Sequence, residues 1–155
     1  MKIGVTGHQD LPPSVAVEVR SVVQELFQRY GRITGICSLA AGADQLAAEA
    51  ILELGGEVEV VIPCDRYAST FNAEALTKFN RLLSRATAVT VLPFPEPSES
   101  AFLAGGLVVV ERSQRILAVW DGLPARGLGG TADVVKYAQA LDRPVDVVWP
   151  AGEVR

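Results

Sequence analysis

Along this chain, short aliphatic and β-branched runs alternate with longer segments whose apolar positions recur every three or four residues. Lys2–Thr6 reads as a first strand. Pro12 and Pro13 then stop extension, and Ser14 is placed to cap a helix reaching about Tyr30. Val15, Val19, Val22, Leu26 and Tyr30 fall on one face of that helix, and Gly31 ends it. Ile33–Cys37 reads as a second strand. Ala43–Leu54 reads as a second helix, with Leu46, Ala47, Ala50, Ile51 and Leu54 inward and Gly55-Gly56 after it. Val58–Ile62 is a third strand closed by Pro63, and Thr70–Arg85 a third helix carrying Phe71, Leu76, Phe79 and Leu83. Ala88–Leu92 is a fourth strand. Pro93, Pro95 and Pro97 follow it, and each fixes φ and removes a donor, which dictates an extended loop. A fourth helix begins near Ser98, with Gly105-Gly106 and Val108–Val110 lowering its helical propensity. Ile116–Trp120, Thr131–Leu141 and Val145–Trp149 complete the pattern as strand, helix and strand.

Strictly alternating strands and helices, with strands apolar almost throughout, predict a parallel sheet buried on both faces. Right-handed crossovers make this α/β chain a single Rossmann-like doubly wound sheet, with 3-2-1-4-5-6 as the simplest strand order and helices on both faces. Residues 1–150 form one domain and 151–155 a short tail. A chain of 155 residues buries about 70% of its unfolded surface, enough for a core without staples.

Composition narrows the function. The net charge is −4 and no Lys/Arg run occurs, which argues against general nucleic-acid binding. A small anion is still accommodated, because helix N-termini bind phosphate through backbone N–H groups. The cysteines are Cys37 and Cys64 and the histidine is His8. With no CxxC pair, no metal site is expected. Cys37 is expected to pack rather than react, and no second histidine exists to activate Cys64. The first strand opens at the N-terminus without a signal peptide, and no apolar run reaches the ~18–20 residues of a membrane span. The expectation is a cytoplasmic protein with reduced thiols and no membrane association.

In doubly wound sheets ligands lie beyond the carboxyl ends of the strands, at the switch point, here expected between strands one and four. The segments following the strands are rich in small and polar residues. Gly129-Gly130-Thr131 opens the last helix, where glycines admit a ligand close to the backbone and free N–H groups face an anion. Ser38, Ala41, Gly42 and Asp44 open the second helix in the same manner. Asp44 either complements the helix dipole or accepts hydrogen bonds from ribose hydroxyls. Gly7 and His8 end the first strand, and His8 is positioned to contact a ligand or to cap its own loop. Neither GxGxxG nor GxxxxGK[ST] is present, which excludes an ordinary dinucleotide fold and a P-loop. Trp120 and Trp149 are read as packing residues at strand ends.

Gly7-His8-Gln9-Asp10-Leu11, Ser38-Leu39-Ala40-Ala41-Gly42-Ala43-Asp44-Gln45-Leu46-Ala47 and Ala118-Val119-Trp120-Asp121-Gly122 with Gly129-Gly130-Thr131 resemble the SLOG superfamily. It groups Rossmann-like domains similar to DNA-processing protein A, the molybdenum-cofactor carriers and the lysine-decarboxylase-like, cytokinin-activating phosphoribohydrolases. The resemblance spans nearly the whole chain. It implies a nucleotide-derived ligand, often a sensing role, and a homo-oligomer; beyond that ligand no cofactor is expected to be required. The phosphoribohydrolases carry PGGxGTxxE with a catalytic glutamate. Here the proline is missing, Leu128 replaces a glycine, and Asp133 stands in the place of the glutamate, one methylene shorter in a reaction sensitive to about 1 Å.

Three functions fit these residues. The first is binding or sensing of a nucleotide or nucleoside-phosphate derivative without turnover. The second is a nucleoside 5'-monophosphate phosphoribohydrolase, an N-glycosidase in which Asp133 stabilises the ribose cation, Asp121 orders water, and Arg112 or Arg115 holds phosphate. The third is an oligomerising accessory subunit with a vestigial pocket.

Overall fold

The computed structural model describes residues 1–124 and 130–154. The elements run β1 (Lys2–Gly7), α1 (Pro13–Tyr30), β2 (Thr34–Cys37), α2 (Ala43–Glu53), β3 (Glu57–Ile62), a 3-10 turn (Tyr67–Thr70), α3 (Ala73–Leu83), β4 (Ala88–Val91), α4 (Glu99–Arg112), β5 (Arg115–Val119), α5 (Thr131–Ala140) and β6 (Val145–Val148). All six strands are parallel, in the order β4-β3-β2-β1-β5-β6. The predicted α/β, Rossmann-like class holds.

The observed order is close to the predicted 3-2-1-4-5-6, with one strand displaced. β4 pairs with β3 at the outer edge, and β5 takes the place beside β1. A central strand of a two-faced sheet must be apolar on both sides. Ile116, Leu117, Ala118 and Val119 of β5 meet that demand and are all buried. β4 reads Ala-Val-Thr-Val, and its Val89 and Val91 are about half exposed. The switch point therefore lies between β1 and β5, where the chain leaves one half of the sheet for the other.

Residues of α1, α2 and α3 share one core cluster with Ile3, Val5, Val58 and Val60. Val110 of α4 joins Val134, Val135 and Ala138 of α5 over Ile116 and Ala118 on the opposite face. Local details shift the predicted ends. α1 begins after Pro12, and Ser14 does not cap it but donates to Glu153 Oε1 at 2.6 Å. That bond ties the C-terminal tail to α1. Val23 rather than Val22 takes the buried position. The predicted third helix splits. The 3-10 turn carries Tyr67, and Asn72 caps α3 by accepting from the Ala75 amide at 2.8 Å. α4 is continuous despite its glycines, because both serve close packing: a side chain on Gly105 would press on Pro63, and one on Gly106 would collide with Val134.

Candidate functional site

The carboxyl ends of β1 and β2, the 3-10 turn, and the starts of α3, α4 and α5 enclose a cleft of about 920 Å³. That volume falls within the ~300–1,000 Å³ of small-molecule sites. Of the predicted ligand residues, Gly7, His8, Ser38, Ala41, Asp44, Gly130 and Thr131 line it. Gly129 lies outside the described residues. Gly42 stands behind the wall: it holds φ +83°, and a Cβ there would strike the backbone of Gln9. Its role is the tight turn.

The turn between β2 and α2 is closed upon itself. Asp44 Oδ2 accepts from the amides of Ser38 (3.2 Å) and Ala40 (3.3 Å). The Ala43 amide donates to His8 O at 3.1 Å, and the buried Gln45 side chain donates to Leu39 O and Ala75 O. This network holds Leu39 at φ 53°, a left-handed conformation that costs a residue with a Cβ about 1–2 kcal/mol. Of the amides read as an anion site in the sequence, Ser38 and its neighbour Ala40 are thus taken by the chain's own carboxylate, and Ala43 by a carbonyl. Asp44 is buried, and burial pushes its pKa up to about 7 against the opposing pull of the Ala40 and Ser38 amides. Its second oxygen, Oδ1, takes no hydrogen bond among the described residues.

The start of α5 differs. Gly130 is an extended N-cap without a side chain, and no hydrogen bond reaches the Thr131 and Ala132 amides among the described residues. Two unsatisfied donors at the positive end of a helix suit an anionic oxygen. Thr131 is itself buried and lines the cleft.

His8 is held from behind. Its Nε2 lies 3.3 Å from Asp121 Oδ1 and 3.3 Å from the Asp121 amide. One nitrogen cannot serve both: bearing a hydrogen it donates to the carboxylate, and bare it accepts from the amide. Trp149 meets the His8 ring edge-on at 5.4 Å between centroids. Asp121 also accepts from the Leu123 amide at 3.0 Å and is not on the cleft wall. Its contacts here are with His8 and its own turn.

The residues proposed for glycoside cleavage are not gathered at the cleft. Asp133 lies in the first turn of α5 but off the wall. Arg112 lies in the last turn of α4, whereas Ser98, Glu99 and Phe102 at the opposite end of that helix face the cleft, and its guanidinium donates to Thr90 Oγ1 in β4. Arg115, at the opposite edge of the sheet, is held by Asp146 through bonds of 2.5 and 2.8 Å. No Lys or Arg is among the described lining residues. Both thiols are buried with raised pKa values, burial being the main cause. Among the described residues no three His, Cys, Asp or Glu groups come together to hold a metal, and no helix is long and apolar enough to cross a membrane.

Among the segments that follow strands, Pro63-Cys64-Asp65-Arg66-Tyr67 is a sequence candidate and brings Pro63 and Tyr67 to the cleft, but the rest of the wall opposite β1 is not legible in the sequence. Tyr67, Thr70, Phe71 and Asn72 follow β3, and Ser98, Glu99 and Phe102 open α4. Tyr67 is buried, packs edge-on to Phe71 (5.1 Å) and Phe79 (5.7 Å), and its pKa is raised by burial and then by Asp44. Tyr67-x-x-Thr70-Phe71-Asn72 directly after a strand was the available clue: aromatic and hydrogen-bonding residues where a plain turn needs neither. Trp120, read as packing, lines the cleft and donates its indole N–H to Leu123 O at 2.8 Å.

No protein-family model and no curated protein matches the sequence. Solved structures do match its fold. DNA processing protein A from Streptococcus pneumoniae is 20% identical, with a TM-score of 0.74 over 97% of this chain and 51% of that one. This chain therefore spans about half the length of that protein. DNA processing protein A from Helicobacter pylori, described with a single-stranded DNA binding mode, is 18% identical, with a TM-score of 0.74 over 99% of this chain and 67% of that one. The molybdenum cofactor binding protein from Rippkaea orientalis is 16% identical, with a TM-score of 0.61 over 94% and 74%. The Helicobacter protein binds single-stranded DNA, so these likenesses lend no support to the expectation that nucleic acid is excluded. At these identities the likeness is one of fold, and the chain shares the Rossmann-like fold of these proteins.

Proposed function

We propose that the chain binds a nucleotide or nucleoside-phosphate derivative in this cleft, as a sensor or carrier and without turnover. The observation that carries this reading is one cleft of about 920 Å³ at the β1–β5 switch point that joins the uncapped start of α5 to the buried Asp44 and to an aromatic wall. The Thr131 and Ala132 amides suit a phosphate, and Phe71 and Phe102 offer a flat ligand apolar contact. The N-glycosidase reading is not retained, because Asp133, Asp121 and Arg112 stand off the wall. No cofactor is needed for binding of this kind. A cytoplasmic location and a homo-oligomer are part of the same proposal, the latter with the exposed Val89 and Val91 edge of β4 as a candidate contact, since an apolar edge strand invites pairing.

The test is thermal unfolding with AMP, GMP, ADP-ribose, ribose 5-phosphate and a dT oligonucleotide, each at millimolar concentration. A ligand present at about 100 times its Kd stabilises by about 2.7 kcal/mol. A rise in Tm with at least one mononucleotide, and no free base released on incubation, is expected. No rise with any of them overturns the reading. A rise with the oligonucleotide alone replaces it with single-strand binding, which the lack of Lys or Arg among the described lining residues opposes.

A further inference from the structure

Deep in the cleft, two polar side chains are buried without using their full hydrogen-bonding capacity. Asp44 is 6% exposed and Tyr67 7%. Both line the cleft. Asp44 Oδ2 is taken by the Ser38 and Ala40 amides, while Oδ1 and the Tyr67 hydroxyl take no hydrogen bond among the described residues. Neither atom is enclosed away from the cleft, so both stay open to a ligand that enters it. The pair is chemically complementary. An ionised carboxylate only accepts, and Tyr67, whose pKa is raised, keeps its proton and donates. Phe71 and Phe102 stand beside Tyr67, with ring centroids 5.1 and 6.3 Å from it, and also line the cleft.

We propose that Asp44 Oδ1 and Tyr67 Oη read the donor–acceptor edge of a purine, Asp44 accepting from its N–H and Tyr67 donating to the neighbouring ring nitrogen or carbonyl, while the base lies along Phe71 and Phe102. This rests on the nucleotide reading above and assigns its base end. A 6-aminopurine and a 6-oxopurine both carry an adjacent donor and acceptor. Purine riboside, which has the acceptor alone, does not. Ribose and phosphate are left to the other side of the cleft, at the start of α5.

The experiment is calorimetric titration at pH 8 with AMP, IMP, 2'-deoxy-AMP, purine riboside 5'-monophosphate and ribose 5-phosphate. At least one of AMP and IMP binds about tenfold or more tightly than purine riboside monophosphate, and the tighter of the two identifies the edge. Asp44→Asn keeps an oxygen for the Ser38 and Ala40 amides and turns an N–H₂ donor into the cleft. It abolishes or inverts that preference and leaves ribose 5-phosphate unchanged. Tyr67→Phe reduces AMP or IMP binding, with ribose 5-phosphate again unchanged and without touching the Asp44 loop, so it stands as the second variant should Asp44→Asn fold poorly. Equal affinity of AMP, IMP and purine riboside monophosphate overturns the proposal. So does an equal loss for every ligand in both variants, or a tenfold loss on removing the 2'-hydroxyl that Asp44→Asn alone erases. If ribose 5-phosphate binds and no base adds affinity, this inference fails while the nucleotide site stands. If nothing binds, both fail.

Discussion

Two helices begin at the same cleft with similar sequences, Gly42-Ala43-Asp44 at α2 and Gly130-Thr131-Ala132-Asp133 at α5. Each has a glycine at the N-cap and an acid in the first turn, and each offers the partial positive charge of a helix start. The structure separates them. At α2, Asp44 turns back to take the Ser38 and Ala40 amides, and the Ala43 amide is spent on His8 O. At α5, the first two amides take no hydrogen bond among the described residues, and Asp133 is off the cleft wall. Glycine and a helix dipole are therefore not enough to make an anion site. What decides is whether the chain's own carboxylate or carbonyl already occupies the donors. In this protein α2 brings the acceptor oxygen of Asp44 to the cleft and α5 the positive end of a helix, an arrangement that suits a ligand with phosphate at one end and N–H donors at the other.

Proline at the first helical position breaks the comparison most sharply. Ala43→Pro removes the bond to His8 O and demands extended backbone at Gly42, which sits at φ 83°, ψ −118°. A loss of about 3 kcal/mol or more is expected in urea unfolding. At α5 the same change fits, since Gly130 is already at φ −70°, ψ 173° and proline suits the first helical position. Thr131→Pro should leave stability within about 1 kcal/mol.

Asp44 gives the next effect, through pH. Its pKa rises from the ordinary 3.8 to about 7 on folding. The folded state then holds a proton that the unfolded chain releases near pH 4, so stability is greatest below that pH and falls as pH climbs towards 7. The loss is on the order of 2–4 kcal/mol. Asp44→Asn, free of ligand, is expected to unfold at a higher Tm than the wild type at pH 8, with the gap closing by pH 4. A wild type whose Tm is flat from pH 4 to 8, or a variant less stable at pH 8, contradicts the assignment.

A smaller change sharpens the α5 side. Thr131→Pro deletes one amide aimed at the proposed phosphate, so ribose 5-phosphate should bind about tenfold more weakly. Thr131→Val keeps the amide and should lose less. If both variants bind as the wild type does, the anion is not held there. The smallest effect is at His8. His8→Phe keeps the edge contact with Trp149 and deletes Nε2 from Asp121, for about 1 kcal/mol, read as a drop of a few degrees in Tm.

Element type and approximate length were legible from the sequence because they follow from local periodicity and from proline and glycine. The six strands and five helices of the described residues match the periodicity, and of the five segments singled out after strands, those after β1, β2, β3 and β5 line the cleft while Pro93-Phe94 does not. The sequence alone also bore the sign that β4 is an edge, in Thr90 among so few apolar residues, although the simplest winding order placed it beside β1. Tertiary structure decided the rest. Which strand lies beside β1 depends on which one is apolar on both faces. Whether an amide is free depends on Asp44 folding back four to six residues. And the aromatic wall comes from segments after β3 and before α4 that meet only when the sheet is assembled. These are properties of distance between residues far apart in the chain, or of competition for a single donor. Residue spacing along the chain records neither, so the protein's shape was readable before its charge arrangement was.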